Sequence, residues 1–117
     1  MPSRRQQFGQ WGEGVACQFL GRRGFKIVEK NYHCREGEVD IVAKQGEAWW
    51  FIEVKTRRSA ASGEPEEMMD EAKLEKTEAA AFDYLSKKEI ETDNWQIGFI
   101  AIKVLGPRRV RVRFMTV

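Results

Sequence analysis

Apolar residues recur along this chain at two periods, and the change from one to the other lays out its secondary structure. Phe8, Trp11, Val15 and Phe19 are spaced by three and four. That spacing predicts a helix over Phe8–Arg23 with those side chains as its apolar stripe. Gly21 and Gly24 mark its end, and Arg22 and Arg23 stand in the last turn, where cations suit the carbonyl end. Glu13 falls with Ala16 and Leu20 along the border of the stripe. Its carboxylate can look past the helix edge toward a sheet face, although an exposed helix acid is the ordinary reading.

From Phe25 the period shortens toward two. Phe25–His33 reads as a first strand around Ile27 and Val28, and Arg35-Glu36-Gly37 as a turn. Glu38–Lys44 reads as a second strand, with Val39, Ile41 and Ala43 on one side and Glu38, Asp40 and Val42 on the other. Gln45-Gly46-Glu47 connects it as a hairpin to Ala48–Thr56, whose Trp49-Trp50-Phe51-Ile52 run has strong β character. Arg57–Gly63 is a loop of small and basic residues. Pro65 suits the first turn of a second helix, with Glu64, Glu66 and Glu67 near its start and Met68, Ala72, Ala79 and Phe82 as its buried stripe. Lys73 and Lys76 flank that stripe, and Lys87-Lys88 ends the helix. Trp95–Val104 and Arg109–Val117 are two further strands. The last, with arginines alternating against Val110, Val112 and Phe114, suits a sheet edge. The order is α-β-β-β-α-β-β, one domain over residues 1–117, an α/β fold in which helices flank a mixed β-sheet.

Composition narrows the class. A hydrophobic fraction of 42% with 11% aromatics fits a packed domain and not a disordered tail. The net charge of +2 is too small to argue for nucleic acid by itself, so the placement of charge matters more. Four Arg-Arg pairs stand out: Arg4-Arg5, Arg22-Arg23, Arg57-Arg58 and Arg108-Arg109. No apolar run approaches the roughly 20 residues of a membrane helix, so no membrane partner is expected. Cys17 and Cys34 form no C-x-x-C pair, and the chain opens without the apolar core of an export signal. Both features point to a cytoplasmic setting. His33 is the single histidine and is adjacent to Cys34, which is not a zinc-ligand spacing.

The chemistry concentrates in two strands. Glu53 and Lys55 project to one face with Phe51, and an adjacent Asp40 strand would bring two carboxylates and an ammonium together. Hard oxygen ligands with room for water suit Mg²⁺ or Mn²⁺. A lysine beside the metal can orient or deprotonate water, or neutralise phosphate charge. A cross-face ion pair on a solvated sheet is the ordinary alternative. Three features weigh against it: the apolar flanks of Asp40 and Glu53, the basic Arg57-Arg58 step after Lys55, and the helices bearing Glu13 and Lys73 on either side.

The chain resembles the YraN-like family of uncharacterised bacterial proteins, in the PD-(D/E)xK nuclease-like superfamily and related by fold to archaeal Holliday-junction resolvases. The residues that carry the resemblance are Gly12-Glu13 with Ala16 and Phe19-Leu20, then Gly37-Glu38-Val39-Asp40-Ile41-Val42, then Phe51-Ile52-Glu53-Val54-Lys55-Thr56-Arg57, with Asn31 and Lys73. Val39 stands where the superfamily name has proline. The resemblance implies a restriction-endonuclease-like core in which Asp40 and Glu53 bind metal, Lys55 assists the nucleophile and Glu13 adds a helical acid. The function expected is divalent-metal-dependent cleavage of branched or structured DNA. The alternatives are a nucleic-acid-binding or assembly module that keeps the fold without turnover, and a plain interaction protein. Arg57 and Arg58, with Arg4, Arg5 and Lys73 behind them, are the expected DNA contacts. A symmetric homodimer is expected if the substrate is a four-way junction.

Overall fold

The computed structural model describes residues 1–58 and 70–117. Its elements are α1 (Arg4–Arg22), β1 (Lys26–His33), β2 (Glu38–Gln45), β3 (Ala48–Arg57), α2 (Glu71–Lys87), β4 (Trp95–Gly106) and β5 (Arg109–Thr116). The strands form one sheet in the order β1-β2-β3-β4-β5. Neighbours are antiparallel except β3 and β4, which run parallel across the α2 connection. The α/β class, the mixed sheet and the order of elements are as the sequence predicts. Each helix closes one face over its own apolar cluster. Ala16 and Leu20 of α1 meet Ile41, Ala43, Ile52, Val54, Ile100 and Ile102. Ala80, Ala81, Tyr84 and Leu85 of α2 meet Val39, Val42, Phe51 and Ile97. Among the described residues no helix is long and apolar enough to cross a membrane.

Helix α1 starts at Arg4 and not at Phe8, because Ser3 caps it. Gln6 N–H donates to Ser3 Oγ at 3.1 Å, and Ser3 N–H donates to Gln6 Oε1 at 2.8 Å. The buried stripe is also rotated from the expected one. Gly12, Ala16 and Leu20 are buried, whereas Trp11 is 43% exposed and Phe8, Val15 and Phe19 are half-buried. Small residues win the centre because the helix backbone presses onto β3. A Cβ on Gly12 would overlap Thr56 Oγ1.

The expected grouping of Val39 with Ile41 and Ala43 is corrected. Ile41 and Ala43 lie under α1, but Val39 is buried on the α2 side. The β1–β2 pair is irregular, with its register shifting between Ile27 and Glu29. Lys30 pairs with Ile41 and Tyr32 with Val39. Between those pairs Asn31 adopts φ 55, a left-handed backbone that asparagine tolerates better than branched residues. The step carries Tyr32 onto α2, where its ring meets Tyr84 edge-on at 5.1 Å and its hydroxyl donates to Asp83.

Helix α2 begins at Glu71, with Asp70 as its cap accepting from Lys73 N–H at 2.8 Å. The readings on Glu64, Pro65, Glu66, Glu67 and Met68 lie outside the described residues. The rest of the expected stripe is corrected, for Ala72 is exposed, Ala79 half-buried and Phe82 67% exposed. Thr77, Ala80, Ala81, Tyr84 and Leu85 are buried instead. Tyr84 sets this rotation by meeting Tyr32, Trp49 and Phe51. Thr77 fits the stripe because its hydroxyl donates to Lys73 O at 3.0 Å. Strand β5 is an edge strand, with Val112 and Phe114 turned onto the α1 cluster.

Candidate functional site

The β2–β3 ladder runs from Gln45↔Ala48 to Ile41↔Ile52 and then stops. Continued by one step, it would set Asp40 opposite Glu53. Instead Val54 N–H donates to Asp40 Oδ2 at 2.7 Å. A side-chain carboxylate thus takes over as acceptor for a strand amide, and the two strands part at this point. Alternation along β3 carries Glu53 to the α2 side behind Phe51, where it is 3% exposed. A carboxylate that deep needs partners. Lys73 of α2 supplies the nearer one, with Nζ 2.7 Å from Glu53 Oε1, and Lys55 Nζ lies 4.0 Å from the same oxygen. Gly37 allows α2 to come this close, since any Cβ there would press on the Lys76 carbonyl at 2.9 Å.

Glu13 reaches the parting from α1. Its carboxylate bonds to the Asn31 side chain and feels the charges of Lys30, Glu38 and Glu53. It lines one open cleft of about 710 Å³ together with Asp40, Glu53 and Lys55. The cleft also takes in Arg4, Arg5, Arg57 and Arg58 at its basic rim. The expected site residues therefore converge, with one reassignment. Lys73 is placed on Glu53 among the acids and is absent from the residues lining this cleft. Thr56, Phe8 and Asn31 also belong to the arrangement and were not among the site residues expected from the sequence. A signal for Asn31 existed, because asparagine is disfavoured inside a strand and favoured at a left-handed step.

The electrostatics are those of crowded acids partly shielded by lysines. Burial, then the Glu53 charge, pushes the Asp40 carboxyl up to about 7 against the opposing Val54 N–H bond. Burial also raises Glu13, with Asn31 and Lys30 pulling the other way. Burial, then the adjacent Lys73, lowers Lys55. Burial alone would lower Lys73, but its bond to Glu53, its contact with Lys55 and the charges of Glu53 and Asp40 together outweigh that and hold it protonated above the usual range.

The donor chemistry fits a hard divalent cation. Asp40, Glu53 and Glu13 offer carboxylate oxygens only, and their mutual repulsion is what such a cation relieves. In this structure the three are not drawn to mutual ligand distance. Among the described residues, the one set of three donors within 4.8 Å of one another is Cys34, Glu36 and Asp83. There Asp83 already accepts from Tyr32 and pairs with Lys87.

Comparison with known proteins gives a family and relatives. Residues 12–114 match the model of a family described as "Uncharacterised protein family UPF0102". A UPF0102 protein of Geobacter sulfurreducens is 38% identical over 108 residues, covering 92% of this chain and 84% of the relative. Another from Moorella thermoacetica is 38% identical over 110 residues, covering 94% and 92%. A third, from Syntrophomonas wolfei, is 44% identical over 80 residues, covering 68% and 70%.

Proposed function

Because the chain belongs to the uncharacterised family UPF0102, its function has to be argued from its own side chains, and we propose that it is a divalent-metal-dependent endonuclease. Its substrate in this reading is branched or otherwise structured DNA, cut by phosphodiester hydrolysis in the cytoplasm. The observation that carries the reading is the parting of β2 from β3, with Asp40 bonded to Val54 N–H and Glu53 beside it, both lining a basic-rimmed cleft.

Asp40 and Glu53, joined by Glu13, would hold Mg²⁺ or Mn²⁺. When bound, the ion supplies Lewis-acid polarisation of the phosphoryl group and a more acidic water. Val54 N–H fixes one oxygen of Asp40, so the carboxylate cannot rotate away from the cleft. Lys55 faces the same space, where it orients the attacking water or offsets charge on the phosphoryl oxygens. Arg57 and Arg58, backed by Arg4 and Arg5, hold the phosphate backbone along the rim. One chain carries one such site, so two-fold cutting of a four-way junction calls for a homodimer.

A specific observation favours the second reading, a nucleic-acid-binding or assembly module without turnover. The Lys73 ammonium, 2.7 Å from Glu53, already neutralises the carboxylate that would hold the metal. Two measurements separate the readings. Calorimetry with Mn²⁺ should give binding by the wild type that Asp40→Ala and Glu53→Ala both lose. Labelled single-strand, duplex, flap and four-way-junction DNA should show Mn²⁺-dependent cleavage of a structured form. Equal Mn²⁺ binding by all three proteins removes the metal assignment, and binding of DNA with no cleavage selects the module.

A further inference from the structure

Beside the cleft, on the outer side of α1, lies a second groove of about 550 Å³ between the helix and the β4–β5 hairpin. It shares Arg4, Phe8 and Arg58 with the cleft, so the two form one continuous surface. Four arginines line it (Arg4, Arg58, Arg108 and Arg109) and no acid does. Among the described residues no ion pair engages Arg4, Arg108 or Arg109. The groove is also aromatic. Phe8 and Trp11 stack with centroids 5.7 Å apart and planes within 11°, and the Arg58 guanidinium covers Phe8 at 4.1 Å. Trp11 is 43% exposed, so its indole is presented to solvent with a second ring stacked against it. At the hairpin tip Arg108 adopts φ 61, where glycine or asparagine is the usual occupant.

Cations at the sides of an aromatic platform are the chemistry of an unpaired nucleic-acid strand. Phosphates take the cations and bases take the rings, whereas a paired duplex keeps its base faces covered. We propose that this groove binds an unpaired stretch of the DNA strand entering the cleft, with one base stacked on Trp11 and its phosphates on Arg4, Arg58, Arg108 and Arg109. The inference rests on the nucleic-acid reading of the adjoining cleft and sharpens it to substrates with a single-stranded arm or opened junction.

The test measures binding in EDTA, so it does not depend on turnover. Labelled single-stranded and duplex oligonucleotides of equal length are titrated with wild type, Trp11→Ala, Trp11→Phe and the double variant Arg108→Ala/Arg109→Ala. Circular dichroism checks that each variant is folded. Trp11→Ala should weaken single-strand binding by roughly 5- to 100-fold, the effect of losing one stacked base. Trp11→Phe should recover most of it, and duplex binding should be unchanged in both. The double arginine variant should flatten the single-strand salt slope by roughly 0.7 for each phosphate left without its cation. Unchanged single-strand affinity in Trp11→Ala overturns the proposal, as does an equal loss on duplex and single strand. The two readings fail separately. Trp11-dependent binding by a wild type that never cleaves with Mn²⁺ removes the nuclease and keeps the groove. Cleavage together with Trp11-independent binding does the reverse.

Discussion

Asp40 Oδ2 accepts the Val54 amide at 2.7 Å, in the place where the facing strand would otherwise continue the ladder. Asparagine can keep that bond while removing the charge, which isolates the electrostatic cost of the carboxylate. Burial and the Glu53 charge raise the Asp40 carboxyl from 3.8 to about 7, so the folded chain prefers it protonated. Its contribution to stability is full below the unfolded value, fades as pH rises from about 4 to 7, and is gone above that. Asp40→Asn should therefore melt with the wild type near pH 4 and above it at pH 8. At 1.36 kcal/mol per unit the gap would approach about 4 kcal/mol. Solvent in the open cleft reduces the expected value to about 1–2 kcal/mol. Melting curves from pH 4 to 8.5 in EDTA test this, and a constant difference across that range contradicts it.

Lys55→Ala should leave Mn²⁺ affinity nearly unchanged and slow cleavage by about 10²–10⁴, the usual worth of one positioned group acting on water or phosphate. Lys73 remains to neutralise Glu53, so the fold should hold. A single-turnover rate equal to wild type would make Lys55 an ion-pair partner only.

Gly12→Ala reverses an ordinary expectation. Alanine normally stabilises an α-helix over glycine by about 0.8–1.0 kcal/mol. Here the added methyl meets Thr56 Oγ1, so a loss of about 1–3 kcal/mol is expected. Chemical denaturation of Gly12→Ala alone and combined with Thr56→Gly checks it. The double variant should show recovered coupling energy, and a stabilised single variant contradicts the packing.

Arg57→Ala combined with Arg58→Ala should lower duplex affinity and reduce the salt slope by one to two units, since each phosphate neutralised on duplex DNA contributes about 0.9. Titrations at several salt concentrations give the slope directly. An unchanged slope places the backbone elsewhere.

Much of this arrangement was legible in the residues. Alternation around Phe51 put Glu53 and Lys55 on a shared face, and short hairpins forced β2 beside β3. What escaped the pattern was rotation and reach. Gly12 and Ala16 displaced Trp11 from the buried stripe because close backbone approach outweighs side-chain size, a property invisible to spacing. Asn31 takes a left-handed backbone and Val39 lies on the α2 side, and periodicity registers neither. The pairing of Lys73 with Glu53 needs the separation between α2 and β3, and only tertiary packing sets that.

The parallel union of β3 with β4 has a consequence for synthesis. Glu13, Asp40, Glu53 and Lys55 all precede the crossover, and one short hairpin suffices to bring the strands of the last three together. Sequence-local pairings form fast, whereas β4 can dock only after α2 has been made and laid across the sheet. Until then the emerging chain exposes the full outer edge of β3, an apolar strand with unpaired amides and carbonyls, which is a template for self-association. A chain ending at Lys87 should sediment as aggregate where the full chain does not. The strand that carries the reacting groups is thus also the one that must be sheltered longest before the polypeptide is complete.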